Sequence, residues 1–253
     1  MGVGLVLSLF PGLGLLDMAF EEAGFCVVRG PDLLWGGDIK QFHPVPGRFD
    51  GIIGGPPCQC HSRLVHIVRA QGSQVAEDLI PEFARCVVEA MPRWFLMENV
   101  PAAPMPDTPG YAVSSLILNN RWFGGVQVRK RLWVFGVRGG RRVDLSEFLD
   151  VALLEQAEKL PAVMASGTFG PDTRSRMAEK QGPSWGTVAA SLVAQGLPTD
   201  FLVKGESPFT ADGAQRMVGN GVPLPMGRAV AGAVRRARES ASQRVSELAS
   251  QRQ

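Results

Sequence analysis

A chain of 253 residues, 45% hydrophobic and 20% charged, has the balance of an ordinary globular protein and enough apolar material for one large α/β core with a small companion lobe. Its net charge of +2 neither requires nor excludes nucleic acid, and Cys26, Cys58, Cys60 and Cys86 are too few and too unevenly spaced for a disulfide framework, so they read as thiols of a reducing compartment. The apolar opening MGVGLVLSLFPGLGLLDMAF lacks a basic start and is broken by glycines, a proline and Asp17, which argues against a signal peptide, and no other run is long enough to cross a bilayer, so the expectation is a cytoplasmic protein with no membrane partner.

In chain order, residues 2–10 form a short apolar run that ends at PGLG, and residues 15–23 follow with helical spacing: strand, glycine-rich turn, helix. Residues 25–28 and 49–53 are further strand candidates, ending at GPD and GGPPC. Residues 76–91 carry Leu79, Ile80, Phe83, Ala84, Val87 and Val88 on one helical face, and residues 94–97 make a buried strand before ENV. Residues 126–137 read as a strand, alternating first and then continuously apolar. Residues 146–159, 187–194 and 225–238 have helical patterns, and a polar tail follows the last of these. Strands alternating with helices predict a Rossmann-like, doubly wound, mostly parallel α/β sheet. The expected division is a main α/β domain over 1–137, a polar, basic lobe inserted at 138–186, and a return to the main domain over 187–253.

Several stretches carry chemistry. LFPGLG between a strand and a helix suits a nucleotide-type cofactor, because glycines let the backbone approach a ligand and the helix start offers free N–H groups; a plain tight turn would look the same. Asp32 and Asp38, in GPD and GDI, stand where acids at strand ends hold ribose hydroxyls, though each is equally a turn residue. In GGPPCQCH, Cys58, Cys60, His61 and the nearby His66 offer soft ligands, but C-x-C is neither the C-x₂₋₄-C of a structural zinc site nor the C-x-x-C of a redox pair. Beside a zinc site, which stays open, Cys58 reads as a nucleophile at the carboxyl end of a buried strand, or as a packed loop cysteine. Glu98 emerges at the same sheet edge. In VQVRKRLWVF, Gln127, Arg129 and Arg131 at spacing two share one strand face, where arginines suit a phosphate or a base carbonyl. RMVGNGVPLP contains an Asn-Gly turn among apolar neighbours.

Taken together and in order, LFPGLG, GDI, GGPPCQ, ENV, QVRKR and GNGVP after QRM resemble the DNA cytosine C5-methyltransferases, with TVAASLVAQGLPTDF as a weaker match before the last motif. The resemblance covers nearly the whole chain except 138–185 and departs at Ser8, where the family commonly has Asp, and at Leu15-Leu16 in place of Gly-Gly.

The resemblance implies an enzyme that moves a methyl group from S-adenosylmethionine, leaving S-adenosylhomocysteine, to C5 of a cytosine flipped out of double-stranded DNA. Cys58 would attack C6 as a thiolate, Glu98 would engage N3 and the exocyclic amine, and Arg129 and Arg131 would hold the base carbonyl and the adjacent phosphate. The cofactor would lie against Phe10, Gly12, Leu13, Gly14, Leu15, Asp32, Asp38, Ile39, Pro56, Leu79, Asn220 and Val222. DNA would be met by Gln59, Ser62 and Arg63 of a closing loop, by Gln127, and by Arg141, Arg142, Arg174 and Arg176 of the inserted lobe. So short a lobe is expected to read only about two to four base pairs. The protein is expected to act as a monomer, without a metal, in a bacterial or phage-infected cell. Two other functions remain open: the same chemistry on RNA, and a non-catalytic nucleic-acid or cofactor-binding protein.

Overall fold

The computed structural model describes residues 4–57, 77–152, 162–163, 187–202 and 209–250. Its centre is a six-stranded sheet built from β1 (Leu5–Leu9), β2 (Cys26–Arg29), β3 (Gly51–Gly54), β4 (Trp94–Asn99), β5 (Tyr111–Asn119) and β6 (Lys130–Arg138), in the order β2-β1-β3-β4-β6-β5. The first four strands are parallel, while β6 runs antiparallel to both β4 and β5. β1, β3 and β4 are buried nearly throughout, as their unbroken apolar runs require when both faces of a sheet are covered. On one face, α1 (Leu15–Glu22) and α5 (Leu224–Ser250) pack in a cluster with Phe20, Trp94, Trp133 and Val234; on the other, α2 (Ile80–Ala90) packs Phe83 and Val87 on Ile52 and Phe95. Two shorter helices, α3 (Val188–Ala194) and α4 (Ala211–Asn220), precede α5.

This is the α/β sheet that the strand–helix alternation predicts, with β1 leading to β2 on one side and β3 on the other. That reversal creates the switch point at whose carboxyl edge such sheets bind ligands. The loops after β1, β2, β3 and β4, and the start of β6, all meet at this edge.

Several local expectations are corrected. Residues 111–119, not expected as a strand, form the edge strand β5, which has one neighbour and a mixed polar and apolar pattern. The strand expected over 126–137 begins at Lys130, so Gln127 and Arg129 precede it. The helix expected from residue 146 is a single 3₁₀ turn, Leu145–Phe148, capped by Asp144 and ended by an extended Leu149; residues 153–159 of that expectation lie outside the described residues. RMVGN closes α4 rather than forming a free turn, and α5 continues through the polar tail to Ser250, helped by an Arg235–Glu239 pair one turn apart. Of the segment expected as an insert, residues 138–152 pack on the sheet and its helices: Leu145 is buried against α5, Ser114 Oγ donates to Val143 O, and Arg236 Nε donates to Phe148 O.

Candidate active site

The glycine turn after β1 is held open by its own backbone and by the turn after β2. Phe10, Gly12 and Gly14 all adopt positive φ, at 57°, 54° and 78°, a conformation that glycine accepts without strain and phenylalanine does not. Phe10 N–H donates to Pro31 O at 3.3 Å, Gly12 N–H donates to Asp32 Oδ2 at 2.9 Å, and the Trp35 indole donates to Gly12 O at 3.1 Å. Asp32 Oδ1 accepts from Leu34 N–H within its own loop, so both oxygens of the acid expected at a ribose are engaged and Oδ2 ties the two loops together. Asp38 accepts from Lys40 N–H as a cap of the next 3₁₀ turn. Trp35 is 55% exposed beside this turn, with its ring 5.9 Å from that of Phe209. Sequence reading passed over it because a lone tryptophan in a loop carries no pattern.

Below the turn, Asp17 of α1 is fully buried; Ser8 Oγ donates to its Oδ1 at 2.5 Å, and Arg29 Nε lies 3.0 Å from its Oδ2. Burial raises the carboxyl pKa, against the lowering effects of Ser8 and Arg29. A raised pKa means that the fold holds this proton more tightly than the unfolded chain does, so the associated stability is present at low pH and is lost as pH rises through the raised value. Asp17→Asn, which does not titrate, is therefore expected to gain stability relative to the parent protein as pH increases from 4.5 to 7.5. Urea unfolding of both across that range measures this, and parallel stability curves would contradict it.

On the other side of the switch point, the Glu98 carboxylate ends β4 only 8% exposed, with Oε1 2.7 Å from Arg131 Nε. A Cβ added to Gly55 would sit 3.1 Å from Glu98 Oε2, so the GGPPC turn leaves Glu98 its room by lacking a side chain there. Buried Asn99 clamps the same turn by donating to Pro56 O at 3.2 Å. ENV and GGPP are thus locked together, and Glu98 lies against the backbone at Gly55. Asn99 was part of a quoted motif but had no assigned role; its side-chain contact depends on how two loops fold together.

The remaining basic motif behaves differently from expectation. Arg129 is 4% exposed, and its guanidinium donates to Val163 O at 2.8 Å and to Gly219 O and Gly221 O at 2.8 and 3.3 Å. Gln127, expected at DNA, is fully buried: its amide donates to Ala194 O and Gln195 Oε1, and accepts from Val163 N–H. Gln195, also fully buried, donates to Val218 O and Gly221 O. These three side chains bind the GNG segment, the end of α3 and Val163 of the inserted segment together. The correction has a physical reason: the alternation that puts Gln127 and Arg129 on one face was read rightly, but that face is covered by the closing turn.

The structure brings most of the expected cofactor residues to one edge. Leu15, Ile39, Pro56 and Val222 are buried supports, Phe10, Gly12, Leu13, Asp32, Asp38 and Leu79 are half-buried, and Asn220 is exposed at the end of α4. The closing turn reaches Leu15, whose Cδ1 would lie 2.7 Å from a Cβ on Gly221. Arg141 and Arg142 are not brought there. β6 runs from Lys130, opposite Asn119, to Arg138, opposite Tyr111, so the chain leaves the sheet at the amino edge before these two arginines, away from the end of β4 that carries Glu98. Cys58, Gln59, Ser62, Arg63, Arg174 and Arg176 lie outside the described residues. Of the described cysteines, Cys86 is fully buried and burial pushes its thiol up to about 11, so it holds no thiolate at neutral pH. Among the described residues there is no metal-binding group of three ligands, and no helix is long and apolar enough to cross a membrane.

Residues 35–166 match the family model described as C-5 cytosine-specific DNA methylase. A type II methyltransferase of Neisseria gonorrhoeae, M.NgoPII, is 30% identical over 189 residues, 61% of this chain and 54% of its own. M.HgiDI, a type II methyltransferase of Herpetosiphon aurantiacus, is 31% identical over 182 residues, 60% of this chain and 58% of its own. The chain thus spans little more than half the length of these relatives. The crystal structure of the S. pombe Dnmt2 methyltransferase has a TM-score of 0.61 at 12% identity, covering 94% of this chain and 99% of that one. The structure of the Entamoeba histolytica methyltransferase EhMeth gives 0.56 at 12% identity, over 91% and 97%. At such identity these two likenesses speak for the fold alone.

Proposed function

The chain belongs to the C-5 cytosine-specific DNA methylase family, and on that premise we propose that it methylates C5 of cytosine in double-stranded DNA, using S-adenosylmethionine and a transient bond between Cys58 and C6 of the base. The observation that carries the reading is the Glu98–Arg131 pair packed against Gly55 and clamped to Pro56 by Asn99, because this sets a carboxyl group beside the turn that delivers Cys58.

The residues at the glycine turn fit the cofactor. A Cβ on Gly12 would meet nothing within 4 Å, so a ligand has open space above the backbone. The first turn of α1 has no side-chain cap, which leaves its N–H groups for an anionic ligand atom. Asp32 and Asp38 supply acceptors for hydroxyl or amino groups. When bound, S-adenosylmethionine supplies an electrophilic methyl group on a sulfonium.

The chain's own residues then divide the remaining work. The Cys58 thiolate adds to C6, which makes C5 nucleophilic; Glu98, protonated or hydrogen-bonded at N3, takes up the charge that this addition pushes onto the ring. Arg131 holds Glu98 from the side away from Gly55 and offers its remaining donors to the base carbonyl. Loss of the C5 proton and elimination of the thiolate restore the enzyme. Arg129 and Gln127 serve this site from behind, by fixing the closing turn.

The test is to incubate the protein with labelled S-adenosylmethionine and either duplex DNA or tRNA, alongside Cys58→Ala. Label is expected in DNA with the parent protein and to be absent with the variant. Label in tRNA alone would move the substrate to RNA, and transfer to neither polymer would favour a binding protein.

A further inference from the structure

Arg29 is the last residue of β2, directly opposite Ser8 of β1, at the carboxyl edge beside the glycine turn. Its Nε faces Asp17, and that ion pair is the one polar side-chain contact it makes among the described residues. The terminal nitrogens reach across Gly14: a Cβ there would lie 2.4 Å from Nη2 and 2.9 Å from Cζ, so the guanidinium rests on the bare backbone at the start of α1. Gly14 is also at φ 78°, so both its conformation and its lack of a side chain suit this overlap.

The arrangement is that of an oriented cation. Asp17 is fully buried and fixed by Ser8, and it takes the Nε side of the guanidinium, which aims the Nη edge over the turn where the cofactor is proposed to bind. Arg131 at the same edge holds Glu98 and is assigned to the base, and Arg129 binds backbone carbonyls. A half-exposed guanidinium edge next to an uncapped helix start suits a carboxylate, which accepts two parallel N–H bonds from it. S-adenosylmethionine carries one carboxylate, on its amino-acid arm. We propose that Arg29, positioned by the buried Asp17–Ser8 pair, binds the carboxylate of the cofactor's amino-acid arm across Gly14. This rests on the reading of the glycine turn as the S-adenosylmethionine site and adds a residue and a partner group to it.

Calorimetric titration without DNA tests this, using S-adenosylhomocysteine, which keeps the arm, and 5′-methylthioadenosine, which lacks it. Arg29→Met is expected to weaken S-adenosylhomocysteine about 10- to 100-fold while changing 5′-methylthioadenosine less than about 2-fold. Arg29→Lys keeps a cation on Asp17 without the planar fork, and covers the case in which the methionine variant does not fold. It is expected to show a smaller loss confined to S-adenosylhomocysteine. Equal weakening of both ligands, or of neither, would overturn the assignment. If the parent protein binds 5′-methylthioadenosine as tightly as S-adenosylhomocysteine, the turn holds the nucleoside and the carboxylate contact is refuted. If it binds neither, the cofactor reading falls and this inference with it.

Discussion

Glu98→Gln is expected to slow methyl transfer by about 10²- to 10⁴-fold, the usual range for loss of a positioned general acid. The carboxyl is nearly buried at the end of β4, between Arg131 and the Gly55 backbone. Glutamine keeps the shape and one acceptor for Arg131, so the packing of ENV on GGPP survives. What it removes is the charge facing Arg131 and the ability to hand a proton to the ring nitrogen. The expected stability cost is about 2 kcal/mol, as for a hydrogen bond to a charged group. Single-turnover rates at saturating DNA separate this from weakened binding: a rate close to the parent's would remove Glu98 from the chemistry.

Arg129→Met is expected to act on the fold rather than on the base. Three backbone carbonyls, of Val163, Gly219 and Gly221, would lose a charged donor inside the protein. At about 1–3 kcal/mol for each such group, partly offset by relaxation, the loss should be about 3–5 kcal/mol. For a chain of this size that lowers Tm by roughly 10 °C. Lysine should restore little, because one ammonium on a flexible stem does not reproduce a planar fork across two glycine carbonyls. Thermal unfolding followed by circular dichroism decides the matter. An unchanged Tm with loss of DNA binding alone would return Arg129 to the base or the phosphate.

These two residues show how far the sequence carried. β1, α1, β3 and β4 were legible because β1, β3 and β4 are buried on both faces and end in distinct glycine or proline turns. β5 was not, because an edge strand with one neighbour needs no strong pattern. α4 was hidden behind Gly213 and Gly219, poor helix formers, in a segment whose most visible feature is its Asn-Gly end. At the site, Glu98 was legible from a run of apolar residues ending in a carboxyl. The partners of Gln127, Arg129 and Asn99 depend on segments far away in the chain, and no local pattern encodes them. The displacement of Arg141 and Arg142 to the amino edge follows from the single antiparallel strand β6, whose direction its composition does not reveal. Ser8 shows the converse: read alone it is a departure from the family's glycine loop, and together with Asp17 it forms the support beneath Arg29.

The most direct test of the central claim is to trap the bond between Cys58 and the base. Duplex DNA with 5-fluorocytosine at target positions is incubated with the protein and S-adenosylmethionine, and the complex is digested for mass spectrometry. After thiolate addition and methyl transfer, C5 carries fluorine in place of the proton that must leave, and fluorine cannot depart as a cation, so elimination stops and the adduct persists. The prediction is a cofactor-dependent nucleotide adduct on the peptide containing Cys58, absent in Cys58→Ala. Methylated cytosine produced by Cys58→Ala, or an adduct mapped to another residue, would contradict it.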